Sequence, residues 1–299
     1  VSILYFELQL VREELKLTNQ SNTLLKQISE VVKSRYEVSE SSLQNLIQVE
    51  VELTRMQDKI ETLESKEIGI VAEINSFLLR DDNSQIDSDS ILPIKKSIYT
   101  SKELIKTANE SRPFLMGIKF SEHKAKLAEN SAKYSYYPNF QLSLQYTNRE
   151  YSFLSGLNWN DVLSIIVGIS LPLNYGGKYT SKVEEAKYLQ SFYKEQYNSS
   201  IQSLNKSFGK IVAKLSELQN REKLISAKLL IQAEQSFQAS LADYQVGRID
   251  FVNVINAQKD ILKIKTDLVE IRTEYLKNIA QLDFLVGTEN YGELKWKVK

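Results

Sequence analysis

Two long stretches of the chain carry apolar residues at alternating spacings of three and four positions. A 3.5-residue period kept over more than four heptads predicts a coiled-coil seam, because each apolar residue must return to the same partner face. Only Glu67 and Asn278 interrupt the two series. The first series is Leu46, Val49, Leu53, Met56, Ile60, Leu63, Glu67, Ile70, Ile74 and Phe77, and the second is Val254, Ala257, Ile261, Ile264, Leu268, Ile271, Tyr275, Asn278, Leu282 and Leu285.

The two seams belong to an internal repeat. Residues repeated 208 positions apart are Tyr36 and Tyr244, Val38 and Val246, Asn45 and Asn253, and Ile47 and Ile255. Each seam follows a short break, and another helical run precedes each break, over 3–36 and roughly 180–243. Gly247, in the second break, can take the left-handed conformation that ends a helix and lets the chain reverse. Each repeat is therefore predicted to contain a helical hairpin with very long arms.

These features predict a mainly α-helical chain built from two repeats. Residues 1–92 form a partial first repeat, with a turn near 37–42 and a solvated connector at 80–92. Residues 93–299 form a complete second repeat, with a helix, a β-hairpin at 138–173 and a long helical hairpin whose turn lies near 245–250. The repeat partner of Pro113 would lie roughly 95 residues before Val1, so we expect the N-terminal part of the first repeat to be missing.

Two segments of the second repeat alternate with period two, which predicts strands. In residues 138–147, Phe140, Leu142, Leu144 and Tyr146 share one face and polar residues share the other. In residues 165–173, one face carries Val167, Ile169, Leu171 and Leu173, and the other carries Gly168 and Ser170. About ten residues with one apolar and one small or polar face is typical of a membrane-spanning barrel strand.

Aromatic residues gather near the ends of these strands, as in interfacial belts. They are Tyr136, Tyr137, Tyr151, Phe153, Trp159 and Tyr175. An ordinary hairpin packed on a soluble core would also alternate, but helices of this length leave no obvious core for it to cover. Because an open sheet edge cannot lie in lipid, the strands that close a barrel must come from elsewhere.

Composition narrows the possible functions. Lys plus Arg and Asp plus Glu both number 38, so no net charge would attract nucleic acid. The chain has no cysteine, which excludes disulfides, thiolate metal sites and a cysteine nucleophile. No stretch approaches 18 consecutive apolar residues, so no transmembrane helix is predicted.

The chain resembles the TolC-like outer-membrane efflux family. The residues that carry the resemblance are YYP at 136–138, SLPLNYGGK at 170–178, YQVGRIDFVNVINAQ at 244–258 and LVG at 285–287. The resemblance covers essentially the whole chain, although only the second repeat is complete. It implies that three subunits form one tube, in which a twelve-stranded β-barrel crosses the outer membrane and an α-barrel crosses the periplasm.

The resemblance also implies a function and partners. The trimer would be a passive exit duct of a tripartite efflux or type I secretion system, contacting outer-membrane lipid. Its helical turns would dock onto a periplasmic adaptor protein, which connects to an inner-membrane RND, ABC or similar transporter. The alternative is a non-membrane coiled-coil scaffold or interaction protein, which has no reason to alternate apolar and polar residues over the thickness of a membrane.

Candidate site residues follow from the same resemblance and, for the strands, from the period-two alternation. The adaptor-docking turns are assigned to Tyr244, Gly247, Asp250 and Phe251, with Tyr36, Ser39 and Leu43 in the first repeat. The lipid-facing strand residues are Phe140, Leu142, Leu144, Val167, Ile169 and Leu171. The periplasmic aperture is assigned to Asn253 and Asn256, with Asn45 and Gln48 as first-repeat equivalents.

The aperture departs from the family pattern. The best-known members carry two aspartates at the positions of Asn253 and Asn256, and an arginine at the position of Ile249. Three subunits would here form rings of amides without charge, and the closed state would need other contacts, such as Arg248 with Asp250 or with a neighbouring hairpin. Because charged rings set cation selectivity in pores, we expect weak cation selectivity.

Other candidate sites do not support catalysis, a cofactor or a metal. His123 is the only histidine and is expected on a surface. The acidic segment 81–90 lacks the glycine and glutamate of a calcium loop, since Ile86 and Leu92 occupy those positions. Gly176-Gly177-Lys178 lacks the upstream glycine and following Ser/Thr of a phosphate loop.

Overall fold

The computed structural model describes residues 1–95, 99–149 and 160–288. The described helices are α1 (Ser2–Glu37), α2 (Leu43–Leu78), α3 (Ser101–Ser111), α4 (Pro113–Tyr134), α5 (Lys178–Leu224), α6 (Leu230–Gln245) and α7 (Phe251–Val286). The strands are β1 (Asn139–Thr147) and β2 (Val162–Ser170); a 3₁₀ turn spans Tyr175–Gly177 and a π-helix spans Ile225–Leu229. The chain forms two compact units, one of Val1–Ala108 with the part from Leu204 onward, and one of Asn109–Ser203.

The first unit contains two helical hairpins. α1 packs against α2, α6 packs against α7, and α1 also contacts α7. Their shared apolar core near the turns consists of Leu25, Ile28, Val32, Val49, Met56, Phe237, Tyr244, Phe251, Val254, Ile255, Ile261 and Leu262. The partition into repeats at 92/93 differs from the division into compact units and stays a prediction.

The two predicted seams are largely buried, as coiled-coil packing requires. Val49, Ile60 and Ile74 are buried in α2, and Val254, Leu268 and Leu282 in α7. Phe77, the last position of the first seam, is 64% exposed in the single chain. The physical reason is its position, because α2 ends at Leu78 and Leu79 then turns into the left-handed conformation.

The connector at 80–92 is mostly exposed, and polar contacts attach it to the helices. Asn75 is fully buried, and its Nδ2 donates to the carbonyl oxygens of Asp82 at 3.0 Å and Ser84 at 2.8 Å. The Arg12 guanidinium donates to Ile86 O at 2.7 Å and pairs with Glu67 Oε1 at 2.7 Å. These contacts satisfy main-chain carbonyls that helix or sheet bonding leaves open.

The second unit contains the β-hairpin. β1 and β2 pair antiparallel in a two-stranded sheet, with Phe140 opposite Ile169, Leu142 opposite Val167 and Leu144 opposite Ile165. Residues directly opposite in an antiparallel pair project to the same face. One face is therefore apolar on both strands, and its side chains are exposed.

The strands differ in their bounds from the sequence prediction: β1 begins one residue later, and β2 begins and ends three residues earlier. β2 spans Val162–Ser170 rather than 165–173, so Leu171 lies one residue beyond the strand. Pro172 and Pro138 explain this limit, because proline lacks the N–H that a ladder needs. The assignment of Leu171 as a strand residue is therefore corrected.

The aromatic residues near the hairpin are exposed where they are described. Tyr136 donates to or accepts from Thr180 Oγ1 at 3.0 Å and lies 5.7 Å from the Tyr179 ring. Tyr175 is 94% exposed. Tyr151, Phe153 and Trp159 lie outside the described residues. Among the residues that are described, no helix combines the length and the apolar character needed to cross a membrane.

Candidate functional sites at the helical turns and the hairpin

The two helical turns have the same backbone structure. Ser39 N–H donates to Tyr36 O at 3.0 Å, and Gly247 N–H donates to Tyr244 O at 3.0 Å. One residue later, Glu40 N–H bonds Arg35 O at 2.8 Å, and Arg248 N–H bonds Asp243 O at 2.9 Å. Each of these partners is 208 positions from its equivalent. The repeat read from sequence is therefore also a repeat of hydrogen bonds.

Ser39 and Gly247, the equivalent residues of the two turns, take the left-handed conformation. Gly247 has φ 72° and Ser39 has φ 62°. Glycine adopts such angles freely, whereas a residue with a Cβ is strained there. Space is open around Gly247, with no atom within 4 Å of where a Cβ would lie. The requirement at this position is therefore conformational rather than steric.

Equivalent substitutions in the two turns are expected to change stability in opposite directions. Gly247→Val should lower the free energy of unfolding by roughly 2 kcal/mol, because a β-branched residue resists positive φ. Ser39→Gly should raise it by a few tenths to about 1 kcal/mol by relieving the strain. Denaturant unfolding measures both changes. Gly69→Val is the control, since Gly69 also has open space but no positive φ. Equal losses for Gly69→Val and Gly247→Val would contradict the assignment.

Arg35 connects the two turns within one chain. Its Nη1 donates to Tyr244 O at 3.1 Å and its Nη2 to Gln245 O at 2.6 Å. The guanidinium carbon lies 5.1 Å from the centroid of the Tyr244 ring, and that ring lies 5.3 Å from Phe251. The last carbonyls of α6 are the partners that a cation prefers at a helix C-terminus.

The residues assigned to docking fall into two groups. Tyr244 and Phe251 are buried, so their side chains hold the shape of the turn. Tyr36, Ser39, Leu43, Gly247 and Asp250 are exposed. The structure brings both groups together around the two turns, and their docking role stays a prediction.

The residues assigned to the aperture lie in the first turns of α2 and α7. Asn253 and Asn256 are exposed, and Asn45 and Gln48 are partly exposed. Asn253 Nδ2 donates to Asp250 O at 3.3 Å, and Asn45 Nδ2 donates to Ser41 Oγ at 3.3 Å. Arg248 pairs with Asp243 at 3.6 Å rather than with Asp250, and its contact with a neighbouring hairpin stays a prediction.

A charged cluster links α2 to α7 beyond these residues. Glu52 is buried, and its Oε1 accepts from Lys259 Nζ at 3.1 Å and from Arg55 Nη1 at 2.9 Å. Two cations on one carboxylate compensate for the loss of water around it. Sequence analysis did not identify this cluster or Arg35, since neither lies in a motif.

His123, the acidic segment 81–90 and the Gly176-Gly177 pair lie in different parts of the structure. His123 is exposed on α4. Within residues 1–95, 99–149 and 160–288, no group of three or more His, Asp or Glu side chains is placed to hold a metal ion. The Gly176-Gly177 pair, with φ 66° and 75°, forms the turn from β2 into α5.

Comparisons with known proteins agree on one family. The family model described as "Outer membrane efflux protein" matches residues 104–288. The chain is 30% identical to outer membrane protein TolC of Salmonella enteritidis over 132 residues, covering 43% of this chain and 26% of that protein. It is 22% identical to outer membrane protein TolC of Vibrio cholerae serotype O1 over 300 residues, covering 95% and 66%. The matched region thus spans about a quarter of the Salmonella relative.

Solved structures share the fold. The outer membrane protein VceC of Vibrio cholerae superposes with a TM-score of 0.79 at 18% identity, over 96% of this chain and 68% of that one. The open-state MtrE outer membrane channel of Neisseria gonorrhoeae superposes with a TM-score of 0.77 at 14% identity, over 96% and 65%. At such identities the likeness establishes the fold alone.

Proposed function

The chain belongs to the outer membrane efflux protein family, and from that premise we propose that it is a subunit of a passive, trimeric outer-membrane exit duct. The duct serves a tripartite efflux or type I secretion system and carries small molecules or proteins. Its helices line a periplasmic tube, and it performs no catalysis. Energy comes from an inner-membrane RND, ABC or similar transporter, reached through a periplasmic adaptor protein.

The observation that carries this proposal is the exposed apolar face of the β-hairpin. Phe140, Leu142, Leu144, Val167 and Ile169 are all at least 60% exposed, although large apolar side chains usually lie inside a protein. The opposite face is mostly polar or small: its pairs are Gln141 with Gly168, Ser143 with Ile166, Gln145 with Ser164 and Thr147 with Val162. An apolar outside and a polar inside are what a strand needs between lipid and a water-filled lumen.

The proposal requires other subunits. Within the described residues the sheet has two strands, so each strand has one edge without a sheet partner. Such edges cannot remain open in hydrocarbon, because each unpaired main-chain group costs several kcal/mol there. Strands from elsewhere in the homotrimer supply the pairing, which makes the closed barrel a property of the whole assembly.

The two helical turns form the adaptor-docking tip. Tyr36, Ser39, Leu43, Gly247 and Asp250 offer the exposed surface, while Tyr244 and Phe251 hold it in shape. Gly247→Val should then lower export while the amount of channel in the membrane stays normal. Unchanged drug susceptibility would count against docking at these turns.

Cysteine labelling can test the membrane assignment, since the chain has no native cysteine to interfere. Leu142→Cys and Val167→Cys, on the apolar face, should resist a water-soluble maleimide in intact membranes and react after detergent is added. Ser143→Cys is the matched control, because it adjoins Leu142 on the opposite face. Ser143→Cys should react with the maleimide in intact membranes whenever the reagent can enter the lumen. Free reaction of Leu142→Cys in intact membranes would favour a non-membrane scaffold.

A further inference from the structure

The helical run through α5 and α6 contains one wide turn, the π-helix Ile225–Leu229. Leu230 N–H donates to Ile225 O, so this bond spans five residues instead of the usual four. π-helices are rare, occur mostly as single turns inside α-helices, and are frequent at functional sites. The corresponding segment of α1, residues 17–21, continues as ordinary α-helix. The two repeats therefore differ at this point.

The repeat offset changes across the wide turn. Between the π-helix and the tip, Ala233 and Phe237 match Leu25 and Ser29 at 208 positions, as do the hydrogen bonds of the two turns. On the other side, core-facing residues match at 207 positions: Ile211 with Leu4, Leu215 with Leu8, Leu218 with Val11 and Glu222 with Leu15. At 208, the buried Leu215 would instead correspond to Glu7, which is only partly buried. The second repeat thus holds one more residue than the first.

A pair of hydrogen bonds supports the same count. Arg12 in α1 pairs with Glu67 in α2, with 2.7 Å between Nε and Oε1. In the second hairpin, Gln219 Nε2 donates to the Tyr275 hydroxyl at 3.2 Å. Gln219 is 207 positions from Arg12, and Tyr275 is 208 positions from Glu67. The same inter-helix contact is therefore preserved only if α5 carries one surplus residue after Gln219.

We propose that the π-helix absorbs this surplus residue and acts as the hinge about which α6 moves relative to α5. One extra residue in an α-helix would rotate everything beyond it by about 100° and turn the core-facing side chains away. The wide turn takes up that residue, so both flanking parts keep their faces toward α7. It also interrupts the regular hydrogen bonding, which makes it the weakest point of a long helix.

Packing on the two sides of the wide turn is unequal. On the α5 side, Leu218 is fully buried, and Glu222 Oε1 accepts from Arg272 Nε at 3.1 Å and Nη2 at 2.8 Å. On the α6 side, an open pocket of about 620 Å³ lies between α6, α1 and α7, with Ile231 and Gln235 among its lining residues. The first turns of α6 are therefore less closely packed than the end of α5.

A pair of single-residue deletions can test this proposal. Deletion of Ala227, inside the π-helix, should restore a continuous α-helix. The parts on both sides of the deletion would then match α1 at the same repeat offset. Deletion of Asn19 is the matched control, because Asn19 is the α1 residue 208 positions before Ala227 and has no wide turn to absorb the loss. We expect the melting temperature to stay within about 2 °C of the wild type, or to rise, for the first deletion and to fall by more than about 5 °C for the second.

Hydrogen exchange tests the hinge separately. Backbone amides of 230–245 should exchange about fivefold more slowly, or slower still, after deletion of Ala227, because local opening loses its starting point. The exchange rates of the α5 backbone amides around Leu218 should not change. If deletion of Ala227 lowers the melting temperature as much as deletion of Asn19, the π-helix does not absorb a surplus residue. If amide exchange in 230–245 is unchanged by deletion of Ala227, the π-helix is not a hinge. Neither measurement depends on the channel function proposed above.

Discussion

Leu268→Asp is expected to abolish the assembled trimer and to destabilise the subunit itself. Leu268 lies in the α7 seam and is only 7% exposed, so an aspartate there would be a buried charge without a partner. Uncompensated buried charges typically cost about 3–5 kcal/mol. We therefore expect loss of crosslinked trimers from membranes together with a strongly lowered melting temperature. Lys263→Asp, an exposed charge change on the same helix, serves as the control and should leave both unaffected.

Ile264→Asp separates packing within the subunit from packing between subunits. Ile264 occupies a seam position but is only partly buried in the single chain. If neighbouring subunits cover it, the substitution should remove trimers while the melting temperature of the isolated subunit changes less than with Leu268→Asp. Intact trimers in both variants would contradict the proposal that the seam joins neighbouring hairpins.

The second large effect concerns the ring of amides at the aperture. An Asn253→Asp/Asn256→Asp double variant should become sensitive to block by trivalent cations, whereas the wild type should resist it. Two carboxylates about 6 Å apart repel by roughly 3 kcal/mol at an effective dielectric constant near 20, and they attract multivalent cations correspondingly. The substitutions should not unfold the tip, because aspartates in the first turns of α7 suit the positive end of a helix.

Single-channel recording distinguishes the outcomes of this substitution. The concentration of a trivalent cation that halves the current should be at least tenfold lower for the double variant than for the wild type. The cation selectivity of the double variant should also be higher. Asp243→Asn is a useful control, because this residue is near the turn but pairs with Arg248 outside the amide ring. Tight block of the wild type, or a double variant with wild-type behaviour, would show that Asn253 and Asn256 do not line the aperture.

Most of the helical architecture could be predicted from sequence. The heptad spacing located α2 and α7, and the breaks at 38–40 and 246–248 located both turns, because these signals are local and periodic. The faces of the hairpin also followed from alternation, since successive side chains on a strand point to opposite sides. The bounds of β2 were displaced by three residues at both ends, and Pro172 limits the ladder at its C-terminal end.

Contacts between distant parts of the chain could not be predicted in this way. Arg35 bonds the carbonyls of Tyr244 and Gln245, which depends on how two hairpins supercoil rather than on any local pattern. The same holds for Arg12 and Asn75, which hold the connector through its main-chain carbonyls. The surplus residue did leave a sequence signal, because comparing Leu8 and Val11 with Leu215 and Leu218 changes the offset from 208 to 207.

Conductance of the purified protein in a planar lipid bilayer tests the central claim most directly. An exit duct that needs no energy of its own should produce stepwise current increments with no nucleotide and no transporter present. The protein is first reconstituted into lipid vesicles, and recovery of the trimer from these vesicles confirms that it inserts. The same vesicles are then fused with the planar bilayer. We predict discrete conductance steps from trimers carrying the exposed apolar hairpin. Trimers that are present in the membrane but pass no current would contradict the assignment as a channel and favour a coiled-coil scaffold.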